Sequence, residues 1–301
     1  MTKWHETDIP DQRGRSAVVT GTGGLGLETA LSLARAGCDV TIAGRNREKG
    51  ADAVSRVKYA APKAIVRFDT LDLADLSSIV SFAQRMENER ESVDLLVNNA
   101  GIMVPPKRQE TRDGFELQFG TNYLGHFALT AHLMPLLSRG TDARVVTVSS
   151  VAARAGKINF DDINSERHYR PMEAYSQSKL ACLMFALELQ ARSRAAGWRV
   201  SSIAAHPGIS RTDLLHNAPG RNSLQGLART YLWFLFQPVA QGALPQLFAA
   251  TSKEAKSGGY YGPDRLGETR GHPQPASIPQ QALDKAASQQ LWEISQRMTG
   301  L

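Results

Sequence analysis

The chain has 301 residues, 42% apolar and 21% charged, so it can bury a sizeable core and is not a disordered tail. Thirty-five Lys and Arg against 29 Asp and Glu leave a net charge of +6, but Arg45, Arg112, Lys179, Arg265 and the other basic residues are scattered. Nucleic-acid binding wants a concentrated stripe, so no nucleic-acid partner is expected. The two cysteines, Cys38 and Cys182, exclude a disulfide framework and a four-thiolate zinc site, and no metal is expected.

The first sixteen residues are polar and charged, without the apolar stretch of a secretory signal. Nothing approaches the roughly 18 apolar residues of a spanning helix, so the expectation is a soluble, cytoplasmic protein. From there the chain alternates short β-branched runs with helical patterns. The predicted strands are Ser16–Thr20, Asp39–Ala43, Ala64–Phe68, Val93–Val97, Arg144–Val148 and Val200–Ala205. Between them fall helices over Glu28–Ala36, Arg47–Val57, Leu76–Asn88, Phe115–Leu137 and Met172–Ala196. Parallel neighbours need a crossover and a helix supplies it, so the rhythm predicts a doubly wound, Rossmann-type α/β fold. The expectation is a single domain over 1–301 with a parallel sheet and helices on both faces. Irregular additions are expected near 153–171, 208–240 and 257–279, the last a Gly- and Pro-rich loop before a helix over Gln280–Met298.

Gly21-Thr22-Gly23-Gly24-Leu25-Gly26 follows the first strand and opens the first helix. A strand–Gly turn–helix lets a pyrophosphate sit on exposed amides at a helix N-terminus, and the string fits G-x-G-x-x-G. Alone, such a string also makes a plain tight turn. At the end of the second strand an acid would favour NAD and a base the 2′-phosphate of NADP; the residues there are Gly44-Arg45-Asn46-Arg47, with no acid before Glu48. Arg45 can fork two N–H groups onto a phosphate, against the plainer reading of a solvated charge opening a helix. NADP(H) is therefore expected, with NAD(H) second. Asp72 and Leu73 follow the third strand, where a carboxylate can accept the adenine amino group. Asn98-Asn99-Ala100-Gly101 follows the fourth, where small residues admit close approach of a ligand. Either segment, taken singly, also fits ordinary turn chemistry.

One helix carries Tyr175-Ser176-Gln177-Ser178-Lys179, placing the ammonium and the phenol on one face. A free phenol titrates near about 10, and an adjacent cation favours the ionised form. Ser149-Ser150 ends the preceding strand, at the sheet edge where open α/β folds bind ligands.

Together these residues resemble the short-chain dehydrogenase/reductase family over nearly the whole chain. The resemblance rests on Thr20–Gly26 (TGTGGLG), Asn98–Gly101 (NNAG), Thr121–Phe127 (TNYLGHF), Val148–Ser150 (VSS), Tyr175–Lys179 (YSQSK) and His206–Thr212 (HPGISRT). The tail from Tyr260 and the interval between Ser150 and Tyr175 are similar to the retinol-dehydrogenase-like branch. The resemblance implies that Tyr175 is the general acid or base and that Lys179 tunes it and binds the nicotinamide ribose. It implies further that Ser150 holds the substrate oxygen, that Asn122 positions a relay water, and that Pro207, Gly208 and Thr212 border the carboxamide. Many members form dimers or tetramers through their long helices, a homo-oligomeric assembly that no residue here specifies.

The family's turn reads TGxxxGxG, and this chain has one residue fewer between Gly21 and Gly24. The deletion removes a polar side chain that often helps hold the 2′-phosphate. Specificity is expected from the irregular additions. Tyr231, Leu232, Trp233, Phe234, Leu235 and Phe236 read as a wall over the active site, a surface meeting another subunit or a membrane, or a buried packing helix. With His168, Tyr169 and Met172 near the catalytic helix, a bulky apolar carbonyl or alcohol is expected. A cofactor-sensing protein that kept the fold and lost the chemistry is the competing reading.

Overall fold

The computed structural model describes residues 3–210 and 237–301. Among the described residues eight strands form one sheet in the order β3-β2-β1-β4-β5-β6-β7-β8. The strands are β1 (Ser16–Thr20), β2 (Asp39–Gly44), β3 (Val66–Thr70), β4 (Leu95–Asn98), β5 (Ala143–Val148), β6 (Val200–Ala205), β7 (Tyr260–Arg265) and β8 (Arg270–Pro275). All neighbours pair in parallel except β7 and β8, which form an antiparallel hairpin. The central strands are buried nearly end to end, which is why they read as continuous apolar runs.

Helices cover both faces. On one lie α1 (Gly24–Arg35) and α2 (Arg47–Ala60), together with α7 (Val239–Thr251). On the other lie α3 (Leu76–Glu89), α5 (Gly125–Ser138) and α6 (Pro171–Ala196). The short α4 (Leu117–Phe119) runs through a π-helical turn (Gly120–Leu124) directly into α5, and α8 (Lys285–Thr299) packs on α6. Local chemistry sets the ends: Asn46, Asp75 and Asp284 accept from first-turn amides of α2, α3 and α8, and Gly197 leaves α6 at φ +68°. Two apolar cores result, one on each side of the sheet. Among the described residues no helix is long and apolar enough to cross a membrane.

The doubly wound expectation holds, with three corrections. Residues 257–279 are not a loop: β7 and β8 occupy most of them. Pro273 and Pro275 are tolerated because β8 is the outer strand of the sheet. A helix over Val239–Thr251 lies where none was predicted; Gly242 and Pro245 interrupt its pattern, yet Gly242 is what lets it close on Ser210 and Leu25. The terminal helix begins at Lys285, after a 3-10 turn at Gln280–Leu283. Thr212 and the aromatic run Tyr231–Phe236 lie outside the described residues.

Candidate active site

The strand order reverses between β1 and β4, and their carboxyl ends define the crevice where open α/β sheets bind ligands. On one side stands the glycine turn. Gly21 sits at φ +102° and Gly24 at φ +50°, conformations that favour glycine. Gly23 is the N-cap of α1 and supplies no side-chain cap, so the first amides of the helix keep their donors for another partner. Gly26 is required by packing: a Cβ there would stand 2.6 Å from Asn99 Nδ2 and 2.7 Å from the Gly21 carbonyl. In the shortened turn Thr22 rests over Gly44, where a Cβ would be 2.9 Å from its Cγ2. The turn therefore abuts the end of β2, where Arg45 is exposed and makes no hydrogen bond or ion pair with a described residue. These features would suit a dinucleotide's pyrophosphate on the first amides of α1, with Arg45 beside the turn at the end of β2.

Asp72 uses Oδ1 to accept from Ala74 N at 3.0 Å, which is local turn chemistry, while its own amide donates to Ser78 Oγ. The Leu73 carbonyl and Cβ press on Gly125, which has no room for a side chain. Asn99 ties the fourth strand's loop to the first: its amide donates to Thr20 Oγ1 at 2.9 Å and its Nδ2 to the Thr20 carbonyl at 2.8 Å. Ala100 N donates to the same hydroxyl at 2.9 Å.

On the catalytic side, Asn122 lies in the π-helical turn, a distortion that often marks a functional site. Its side chain grips Ile102 at both ends, accepting from Ile102 N at 2.8 Å and donating to Ile102 O at 3.0 Å. Its Nδ2 also donates to Ser178 Oγ at 2.9 Å, and that hydroxyl donates to the Tyr175 carbonyl at 2.8 Å. Lys179 is buried, its ammonium donates to Val148 O at 3.0 Å, and Ser149 Oγ donates back to Lys179 O at 2.7 Å. The catalytic helix is thereby stitched to the end of β5. A Cβ on Gly101 would be 3.0 Å from Asn122 Oδ1 and 3.5 Å from Lys179 Nζ. Gly101, Asn122 and Lys179 therefore lie together. Ser150 closes β5 and accepts from Ala152 N at 3.2 Å, opening the Val151–Ala155 turn against which α6 packs. Tyr175 stands on the second turn of α6, and its hydroxyl makes no hydrogen bond to a described residue.

The structure adds residues that the motif reading passed over. His126 is buried on α5; its Nδ1 lies 2.9 Å from the Asn122 carbonyl and its Nε2 2.9 Å from Thr20 Oγ1. Burial pushes its pKa down to about 4, outweighing the hydrogen bond to Asn122. The neutral ring therefore donates from Nδ1 to Asn122 and accepts from Thr20 at Nε2, a tautomer fixed by the network. Cys182 Sγ also donates to the Asn122 carbonyl, at 3.2 Å. One chain of hydrogen bonds thus links the Asn99–Ala100 loop, the last residue of β1, α5 and α6. His126 occurs four residues after Asn122, a spacing that could have flagged it. Gln246, on α7, donates to Thr29 and to Asn99 Oδ1. Gln118 accepts from Val104 N at 2.7 Å and donates to Pro171 O and Tyr169 Oη. Val104 is held at φ +55°, a costly conformation for a β-branched residue. With Tyr169 donating to Pro105 O, this fixes a wall beside the start of α6, where Met172 is exposed; His168 faces solvent.

Fold and family match together make this a nicotinamide-dependent oxidoreductase of the Rossmann type. The family profile for short chain dehydrogenase matches residues 15–222. The chain belongs to the short-chain dehydrogenase/reductase family, in its retinol-dehydrogenase-like branch. It is 38% identical to retinol dehydrogenase 13 of Mus musculus over 96% of this chain and 84% of that one. It is also 38% identical to polyprenol dehydrogenase of Homo sapiens, over 98% of this chain and 88% of the other. The crystal structure of an uncharacterized protein from Mycobacterium paratuberculosis is 39% identical and superposes with a TM-score of 0.82, covering 99% of this chain and 98% of that one. A short chain dehydrogenase from Shigella flexneri solved with NADP shares the fold at a TM-score of 0.66 and 22% identity, over 84% and 98% of the two chains.

Proposed function

We propose that the protein is an NADP(H)-dependent dehydrogenase or carbonyl reductase acting on a hydrophobic ketone, aldehyde or secondary alcohol. The observation that carries the reading is the convergence of Lys179 Nζ and Asn122 Oδ1 on Gly101, with Lys179 bonded to the β5 end that Ser150 closes. When bound, the nicotinamide supplies or accepts the hydride, and the protein's share is orientation and proton transfer. Tyr175 donates a proton to the carbonyl oxygen in reduction and takes it from the alcohol in oxidation. Ser150 Oγ holds that oxygen. Lys179, anchored on Val148 O, supplies positive charge beside the phenol and binds the ribose. Asn122 fixes Ile102 and positions the relay water. Gly21, Gly23, Gly24, Leu25 and Gly26 cradle the pyrophosphate. Asp72, Leu73, Asn99, Ala100 and Gly101 line the path of the cofactor, and Pro207, Gly208 and Thr212 border the carboxamide.

The preference for NADP is supported by Arg45 and the absence of an acid before Glu48 at the end of β2. The apolar substrate is supported by the wall around Val104, Tyr169 and Met172. It is supported too by relatives named for retinol and polyprenol. The test is oxidation or reduction of NADP(H) followed against a panel of apolar ketones and alcohols. Turnover is expected with NADP(H) exceeding NAD(H). Tight NADP binding without turnover on any member would instead favour the cofactor sensor.

A further inference from the structure

We infer that Glu268 is a positioning residue that locks the Ser150 loop and the Pro207–Gly208 turn into one register, through Arg154 and His206. The inference rests on the function proposed above. It starts from the turn between β7 and β8, where Leu266, Gly267 and Glu268 take φ values of +49°, +64° and +68° in succession. Left-handed residues bearing a Cβ are costly, and such strain persists where surrounding contacts over-determine it.

Those contacts converge on one carboxylate. Glu268 Oε2 lies 2.9 Å from His206 Nε2 and 2.6 Å from Arg154 Nη2, and Oε1 accepts from Ser277 N at 2.9 Å. His206 Nδ1 accepts from Gly208 N at 3.2 Å, so Nε2 carries the proton that Glu268 accepts. Arg154 also donates to Gly267 O at 3.0 Å and belongs to the turn opened by Ser150. The side chains of His206 and Glu268 are 1% and 10% exposed, so the cluster is shielded, while Arg154 bridges it to the surface. Against the upward push of burial, the His206 hydrogen bond, the Ser277 amide and the nearby charges hold the Glu268 carboxyl down at about 2.

The surroundings leave little slack. A Cβ on Gly262 would run into the His206 ring, and one on Gly208 into the Thr269 carbonyl. Ile209 N donates to that carbonyl at 2.8 Å. The hairpin turn thus touches two segments expected on either side of the reacting atoms: the Ser150 loop toward the substrate and Pro207–Gly208 toward the nicotinamide. Among the described residues no hydrogen bond runs directly between the two segments, and Glu268 is the side chain that bonds to both Arg154 and His206.

Glu268→Gln, Arg154→Met and the double variant test the clamp. Each is measured for affinity toward NADP and toward 2′-phospho-ADP-ribose, which lacks the nicotinamide, and for Tm and ketone-reduction kinetics. Glu268→Gln should weaken NADP about ten-fold while the nicotinamide-free ligand shifts less than about two-fold, and kcat should fall about ten-fold. Arg154→Met should lower kcat with NADP affinity kept within about three-fold, and the double variant should be no worse than Glu268→Gln alone. Equal loss of both ligands, fully multiplicative effects in the double variant, or a lowered Tm with NADP affinity and kcat unchanged would overturn the clamp. A wild-type protein that binds NADP but never turns over removes the proposed reaction instead, and the two affinities still decide the clamp.

Discussion

The two halves of the sheet's carboxyl edge are built from different materials. Beyond β1–β3 the cradle is backbone: positive-φ glycines, uncapped amides of α1, and Arg45 standing free of described partners. Beyond β4–β6 it is buried polar side chains tied to fixed partners: Asn122 to Ile102 and Ser178, Ser178 to the Tyr175 carbonyl, and Lys179 to the Val148 carbonyl. A backbone cradle suits the pyrophosphate shared by all nicotinamide dinucleotides. A wired side-chain network suits a proton donor that must hold its place to a fraction of an ångström. The halves meet at Thr20, which accepts the Asn99 and Ala100 amides and donates to His126.

The largest effect should separate the halves cleanly. Tyr175→Phe is expected to cut kcat by about 10³-fold or more, with NADP affinity nearly unchanged; a variant retaining activity would remove Tyr175 from the chemistry. The converse break is Gly26→Ala, whose Cβ would meet the Gly21 carbonyl 2.7 Å away. Calorimetry should show about 100-fold weaker NADP binding, because shifted backbone forfeits several phosphate contacts at once. Unchanged affinity would mean that the cradle tolerates a side chain there.

The junction has a pH signature. His126 is neutral in the fold, with its pKa lowered to about 4 from 6.5, so between those values the unfolded chain binds more protons. Its contribution is full above about pH 6.5 and lost as pH falls toward 4; between pH 7 and 5 the loss is about 2 kcal/mol. Urea unfolding should show that slope reduced in His126→Gln, and equal slopes would contradict a neutral, buried ring. Smallest is Arg45→Ala, which should weaken NADP about ten-fold and leave NAD unchanged, as loss of one solvent-accessible charge-assisted contact would. Equal effects on both cofactors would show that Arg45 does not read the 2′-phosphate.

The parallel core was legible because buried strands are β-branched runs and each is followed by a helix. The glycine turn and the YSQSK helix were legible because their chemistry is local. Boundaries drifted where the signal thins: the third strand runs Val66–Thr70, not Ala64–Phe68, because Arg67 and Asp69 complete it through pairing with β2. The β7–β8 hairpin was hidden by glycines and prolines that serve an outer strand. The Val239–Thr251 helix was hidden by Pro245 and by being apolar nearly all round. His126 reads as an isolated histidine among apolar neighbours until the fold brings Thr20 to it. Glu268 has no signal at all, since its partners Arg154 and His206 are distant in sequence and join only when the hairpin closes.

The outer rim of the sheet has a consequence for how copies of the chain can meet. Ala276 N donates inward to Tyr260 O, so by alternation the residues at 273 and 275 turn their backbone nitrogens away from β7. Both are prolines, with no hydrogen to give. That border offers carbonyls but no donors at those places, so a second strand cannot zip onto it and grow a continuous ribbon across molecules. Edge-to-edge joining of copies along β8 is thereby disfavoured, which leaves β3 as the sheet's other edge.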